Sequence, residues 1–167
     1  MPNEPSIQRI DLDEALRHFD PLVDLLQELY EDQRLYAPPI FLDQESRRTR
    51  CRKLIEHLQS DTALLWGAFI ASDLAGFLWA YERDFFCERQ MYVNAVVVKE
   101  SLRGHGIGRL LLDAVATETS RRGLLTIGVS CLAGKHDTLR FYDSHGFIME
   151  RCQLVKILDK GRLLHDD

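Results

Sequence analysis

The stretch Arg103, Gly104, His105, Gly106, Ile107, Gly108 limits this chain more than any other. Residues 91–98 before it (MYVNAVVV) read as a strand, and residues 109–116 after it (RLLLDAVA) read as a helix. A helix start leaves backbone N–H groups unpaired and carries partial positive charge. Glycines let a ligand approach that backbone closely, and no acid stands in the stretch to repel an anion. Strand, glycine loop and helix together make a place to hold phosphate. Spacing excludes two nucleotide sites. A Walker loop ends in Gly-Lys-Ser/Thr, whereas Gly108 is followed by Arg109 and Leu110. A dinucleotide fingerprint needs G-x-G-x-x-G, but the sixth position is Arg109 counted from Gly104 and Leu111 counted from Gly106. The ribose-binding acid expected about 20 residues later is also missing, because that region reads Thr126, Ile127, Gly128, Val129.

The rest of the chain supplies the elements around this junction. Residues 6–10 suit a short first strand. Residues 13–34 carry Leu22, Leu25, Leu26 and Leu29 on one stripe and predict a helix, which Pro21 either starts or kinks. Residues 43–59 predict a second helix with Asp43 as its cap, Leu54, Ile55 and Leu58 as its apolar face, and a basic string over residues 47–53 that reads first as a solvated face. The period then changes. Residues 63–70 and 74–81 predict a hairpin, and residues 89–98 a third strand. Ile107, Leu110, Leu111, Ala114 and Val115 mark a helix after the loop, with Arg121 and Arg122 suiting its negative end and Gly123 its stop. A strand over 124–131, a helix over 135–145 closed by Gly146, and a strand over 147–158 follow, with a turn at 159–161. The order predicts an α/β (α+β) fold: a central mixed, mostly antiparallel sheet flanked by about four helices.

At 167 residues the chain is about one domain's worth, read here as a single domain over 1–167. A formal charge of -5 argues against nucleic acid as the main partner. Cys51, Cys87, Cys131 and Cys152 are widely spaced without a C-x-x-C pair, so no metal is expected. No apolar run approaches the roughly 20 residues of a membrane span. No secretory signal opens the sequence, and the expectation is a reduced, cytoplasmic protein.

The R-x-x-G-x-G form of residues 103–108 resembles the GNAT superfamily of acyl-CoA-dependent N-acetyltransferases. The strand residues Val96, Val97 and Val98 before it share the resemblance. So does the later Phe141, Tyr142, Asp143, Ser144, His145, Gly146, Phe147, which looks like the family's F-Y-x-x-x-G-F segment. The resemblance implies a GNAT-like fold with splayed strands that admit the thioester. It implies that backbone N–H groups of Arg103, Gly104, His105, Gly106, Ile107 and Gly108 bind the pyrophosphate of acetyl-CoA, with charge added by Arg103 and Arg109. It also implies that backbone at Val96, Val97 and Val98 pairs with the pantetheine arm. The family's asparagine on that arm is Lys135 here, a departure that leaves a phosphate contact or simple exposure open.

The resemblance makes Tyr142 the general acid that reprotonates the leaving thiolate; packing beside Phe141 and Phe147 is its alternative reading. The general base is not legible. The strand before the loop carries no acid, and Asn94 stands as a residue that positions a water or faces solvent. Glu82, Asp84 and Glu88, near strand ends where substrate would enter, and Glu28, Glu31 and Asp32, on the first helix, read first as surface acids. The expected activity is acetyl transfer from acetyl-CoA to a primary amine, on a small molecule or a peptide, and the clustered acids lean toward a cationic acceptor. The alternative is a non-catalytic acyl-CoA-binding regulatory module of the same fold. Homodimers are common in the family, but no stripe here identifies an interface.

Overall fold

The computed structural model describes residues 4–36, 44–154 and 156, without the side chains of 44–46. They fall into two compact units, one within residues 1–32 and 42–130, the other within 33–41 and 131–167.

The first unit is built on a five-stranded sheet in the order β1 (Ser6–Arg9), β2 (Leu64–Ile70), β3 (Asp73–Phe85), β4 (Glu88–Val98) and β5 (Ile127–Val129). The first four strands pair antiparallel and β5 joins β4 in parallel, so the sheet is mixed as expected. The stripe predicted as one helix divides into α1 (Leu12–Arg17) and α2 (Phe19–Gln33). Pro21 explains the break. Inside a continuous helix its ring would collide with the Arg17 carbonyl and it has no N–H to donate, whereas in the first turn of α2 neither matters. Asp11 caps α1 by accepting from the Glu14 N–H at 2.9 Å. The second predicted helix is α3 (Gln44–Gln59); the expected cap Asp43 lies outside the described residues. After the loop comes α4 (Ile107–Arg121), closed by Gly123 at φ +70°.

Helices α1, α2 and α3 cover one face of the sheet. Leu22, Leu25, Leu26, Cys51 and Leu54 pack there with Leu65, Phe77, Trp79, Ala95 and Val97. The other face takes the buried Ile107, Leu111, Leu112 and Val115 of α4, which lies on β2, β3 and β4. One irregularity decides which residues of β4 see which side. Trp79 pairs with Ala95 but Ala80 pairs with Val93, so Asn94 is an extra residue, a β-bulge. Cross-strand partners share a face. Ala95 and Val97 therefore join the core under α1–α3, while Met91 and Val93 face α4.

Two expected strands differ. The one over 124–131 shortens to Ile127–Val129. The one over 147–158 is absent from its described residues, 147–154 and 156; the rest, with the turn at 159–161, lies outside them. Ile148, Met149 and Leu154 are exposed instead. Strand propensity is half-buried packing in disguise, and without a backbone partner an apolar run does not become a strand. The second unit contains α5 (His136–Asp143), which ends two residues before the expected His145, with Gly146 just beyond at φ +82°.

Candidate active site

The glycine loop bridges the end of β4 and the start of α4. Gly104 (φ +79°) and Gly106 (φ +81°) hold left-handed backbone that side chains disfavour, and Gly106 precedes α4 without any side-chain cap. A Cβ on either would meet nothing within 4 Å, so the backbone there is open to a ligand. The N–H of Arg103 is already donated to the Glu100 carbonyl at 3.2 Å. Among the described residues, none accepts a hydrogen bond from the amides of residues 104–109. The first turn of α4 carries no acid. These amides and the helix's positive end are a ready anion site.

Side chains brace this loop more than they point from it. Arg103 donates from Nε to the Val98 carbonyl at 3.1 Å and lies 3.5 Å from Asp32 of α2. His105 Nδ1 lies 2.9 Å from the Arg103 carbonyl and 3.2 Å from that of Leu102. Two carbonyl neighbours require the proton on Nδ1, so this imidazole ties the turn together. Glu28 of α2 accepts from the Glu100 N–H at 2.8 Å. Sequence reasoning left Glu28 and Asp32 as surface acids; both hold the approach to the loop. Arg109 is the exposed cation of the first turn, 3.6 Å from Asp113 one turn on.

Upstream of the loop the sheet opens. β4 pairs with β5 only from Met91 opposite Ile127 to Val93 opposite Val129. From the bulge at Asn94 through Val96, Val97 and Val98, β4 has no β5 partner among the described residues. Asn94, Val96 and Val98 are half-buried. The strands thus fork at Asn94, and a backbone edge without a strand partner runs from the fork to Val98, whose carbonyl accepts from Arg103. At the fork the Tyr92 hydroxyl bonds Ser130 Oγ at 2.9 Å. The fork, the edge and the loop bring the expected Asn94, Val96–Val98 and 103–109 into one line.

The remaining expected residues belong to the second unit. Tyr142 is buried on α5, its ring 5.3 Å from Phe141 and 5.2 Å from Phe147. Lys135 stands just before α5, half-buried, and burial lowers its ammonium below the usual lysine range against a smaller opposing pull from Asp137. The acids read as an entrance cluster are dispersed. Glu82 is ion-paired with Arg122 at 2.6 Å and with Arg89, which ties β3 to the far end of α4 from the loop. Asp84 and Glu88 are exposed. Among the described residues no His, Cys, Asp and Glu gather into a group that would hold a metal.

The acetyltransferase (GNAT) family model matches residues 26–147, which include the fork, the loop and Tyr142. The chain belongs to the GNAT acetyltransferase family. It is therefore an acetyltransferase by family, and the matched span takes in the strand fork and the glycine loop. No curated protein matches the sequence. Solved structures resemble it at low identity. An aminoglycoside acetyltransferase from an uncultured soil metagenomic sample is 18% identical, with a TM-score of 0.69 over 93% of this chain and 97% of that one. Ribosomal-protein-alanine N-acetyltransferase from Brucella melitensis is 20% identical, with a TM-score of 0.67 over 93% and 100% of the two chains. A predicted acetyltransferase from Clostridium acetobutylicum solved with acetyl-CoA is 17% identical, with a TM-score of 0.70 over 93% and 97%. At these identities the likeness shows the fold alone.

Proposed function

We propose that this acetyltransferase acts as one domain over residues 1–167 and moves the acetyl group of acetyl-CoA to a primary amine by direct attack, without a metal. The observation that carries the reading is the β4 edge, without a strand partner, that leads from the fork at Asn94 toward the open amides of residues 104–109. An extended arm pairs with such an edge as an added strand does. Its phosphates then reach the start of α4.

An aliphatic amine has a pKa of about 10, so presenting it neutral at pH 7 costs roughly 4 kcal/mol. β4 has no carboxylate from Gln90 to Val98 to take that proton. In this reading the proton leaves through a water that Asn94 positions. The nitrogen attacks the thioester carbon, the backbone N–H near Val98 stabilises the oxyanion, the C–S bond breaks, and Tyr142 gives its phenolic proton to the thiolate. The acceptor is a small molecule or a peptide amine rather than nucleic acid. The place of action is the cytoplasm; no helix among the described residues is long and apolar enough to cross a membrane. Homodimerisation is part of the family expectation.

The same acid-free stretch favours one second reading, an acyl-CoA-binding regulatory module without turnover. Free-thiol release from acetyl-CoA, measured across a panel of amines, separates the two. Release with any amine establishes the transferase. Binding without release across the panel establishes the module.

A further inference from the structure

The amine-acceptor reading leaves the substrate class open, and a second set of side chains beside the fork addresses it. Tyr81, Arg83, Gln90 and Tyr92 are cross-strand partners on β3 and β4, Tyr81 with Tyr92 and Arg83 with Gln90. Their neighbours Ala80, Met91 and Val93 face α4, so these four project from the opposite face, past the core under α1–α3. The Arg83 guanidinium lies over the Tyr92 ring at 3.7 Å and over Phe85 at 4.6 Å. Its Nε and Nη2 donate to Gln90 Oε1 at 3.2 and 3.0 Å. Gln90 is itself only 6% exposed and donates to Thr126 Oγ1 at 3.4 Å. Gly128 makes the space, since a Cβ there would stand 2.4 Å from Gln90 Oε1.

The chain has therefore fixed one arginine with care and has not neutralised it. Among the described residues Arg83 makes no ion pair, although most arginines near this sheet end do: Arg89 and Arg122 both reach Glu82. Glu88 shares its face but stands exposed at the hairpin tip without pairing to it. A guanidinium has five N–H donors in a planar fork. Two are given to Gln90, and stacking locks the plane, which leaves a pre-oriented edge for a carboxylate or phosphate. Tyr92 links this cation to the fork, because its hydroxyl bonds Ser130 where β4 and β5 part.

We infer that the acceptor is a small amine that also carries a carboxylate or phosphate a few bonds away, with the anionic group on Arg83 and the amine beside Tyr92 and Ser130. This rests on the transferase reading and replaces the lean toward a purely cationic acceptor, since Glu82 is already engaged on the α4 face. The test compares matched acceptors: 4-aminobutanoate against butylamine, and O-phosphoethanolamine against ethanolamine. Thiol release gives kcat and KM for wild type, Arg83→Lys and Arg83→Gln, with thermal melts confirming that each variant is folded. Wild type should favour the anionic member of a pair by at least about tenfold in kcat/KM. Arg83→Gln should erase that preference mainly through acceptor KM, Arg83→Lys should restore part of it, and the KM for acetyl-CoA should not move. Equal or better use of the neutral members by wild type overturns the inference and leaves the transferase standing, as does an unchanged preference in Arg83→Gln. No release with any member, while another amine of the wider panel gives release, overturns the inference and leaves the transferase standing; no release across the whole panel removes the transferase reading itself. If Arg83→Gln fails to fold, the ratio in wild type and Arg83→Lys decides alone.

Discussion

Gly128 shows how much one missing methyl group can matter. The Cβ of Gly128→Ala would overlap Gln90, whose amide is buried and hydrogen-bonded on both ends. Overpacking of this kind costs about 1–3 kcal/mol, and chemical denaturation should show that loss. Glu118 makes a prediction about pH. Hydrogen bonds from Arg121 first, and then from Arg122, hold its carboxyl down to about 2 from the usual 4.5, against an opposing contribution from burial. A carboxyl depressed in the folded state stabilises the protein above its unfolded pKa and loses that stabilisation as pH falls toward the folded value. Thermal melts should therefore lose stability between about pH 4.5 and pH 2, and Glu118→Gln should flatten part of that slope. Tyr142→Phe belongs to the proposed mechanism. Turnover should fall roughly ten- to ten-thousand-fold with acetyl-CoA affinity nearly intact, the pattern of a lost general acid. Unchanged turnover would leave Tyr142 as a core aromatic beside Phe141 and Phe147.

At the scale of elements, the hairpin between β3 and β4 turns through Phe86 (φ +47°) and Cys87 (φ +70°), both left-handed. Two-residue turns of this hand favour Asn-Gly, and side chains elsewhere cost about 1–2 kcal/mol each. Phe86→Asn with Cys87→Gly should raise the unfolding free energy by about 1–2 kcal/mol. A lower denaturation midpoint would mean that exposed Phe86, packed edge-to-face with Phe85, contributes more than the turn strain costs. The elements that sequence made legible are those whose cause is local. Glycines at a strand-to-helix junction, a capped stop at Gly123 and the stripe of Leu22, Leu25, Leu26 and Leu29 all act within a few residues. The bulge was not legible. Met91, Val93, Ala95 and Val97 alternate evenly in sequence and imply one face, yet the extra residue Asn94 sends the first two to α4 and the last two to the α1–α3 core. A register shift is decided by the partner strand, which periodicity cannot see. The same holds for Arg83: Gln90 is seven residues away and Gly128 forty-five, and only pairing brings them together.

Over the whole molecule, the mixed, mostly antiparallel sheet, its flanking helices and the glycine loop were legible from pattern and resemblance. The strand expected over 147–158 does not form in its described residues, 147–154 and 156, because strand formation depends on a partner that composition does not supply. The family match covers residues 26–147, and the forked sheet supplies the frame on which the proposed chemistry rests. That chemistry requires acetyl-CoA on the β4 edge and at the start of α4. Calorimetric titration of acetyl-CoA into wild type and into Gly106→Glu tests it most directly, with melts confirming that the variant is folded. The expected result is micromolar binding to wild type and none to Gly106→Glu, whose carboxylate would project into the open loop and repel the phosphates. No binding to wild type, or equal binding to both, would contradict the assignment of the loop.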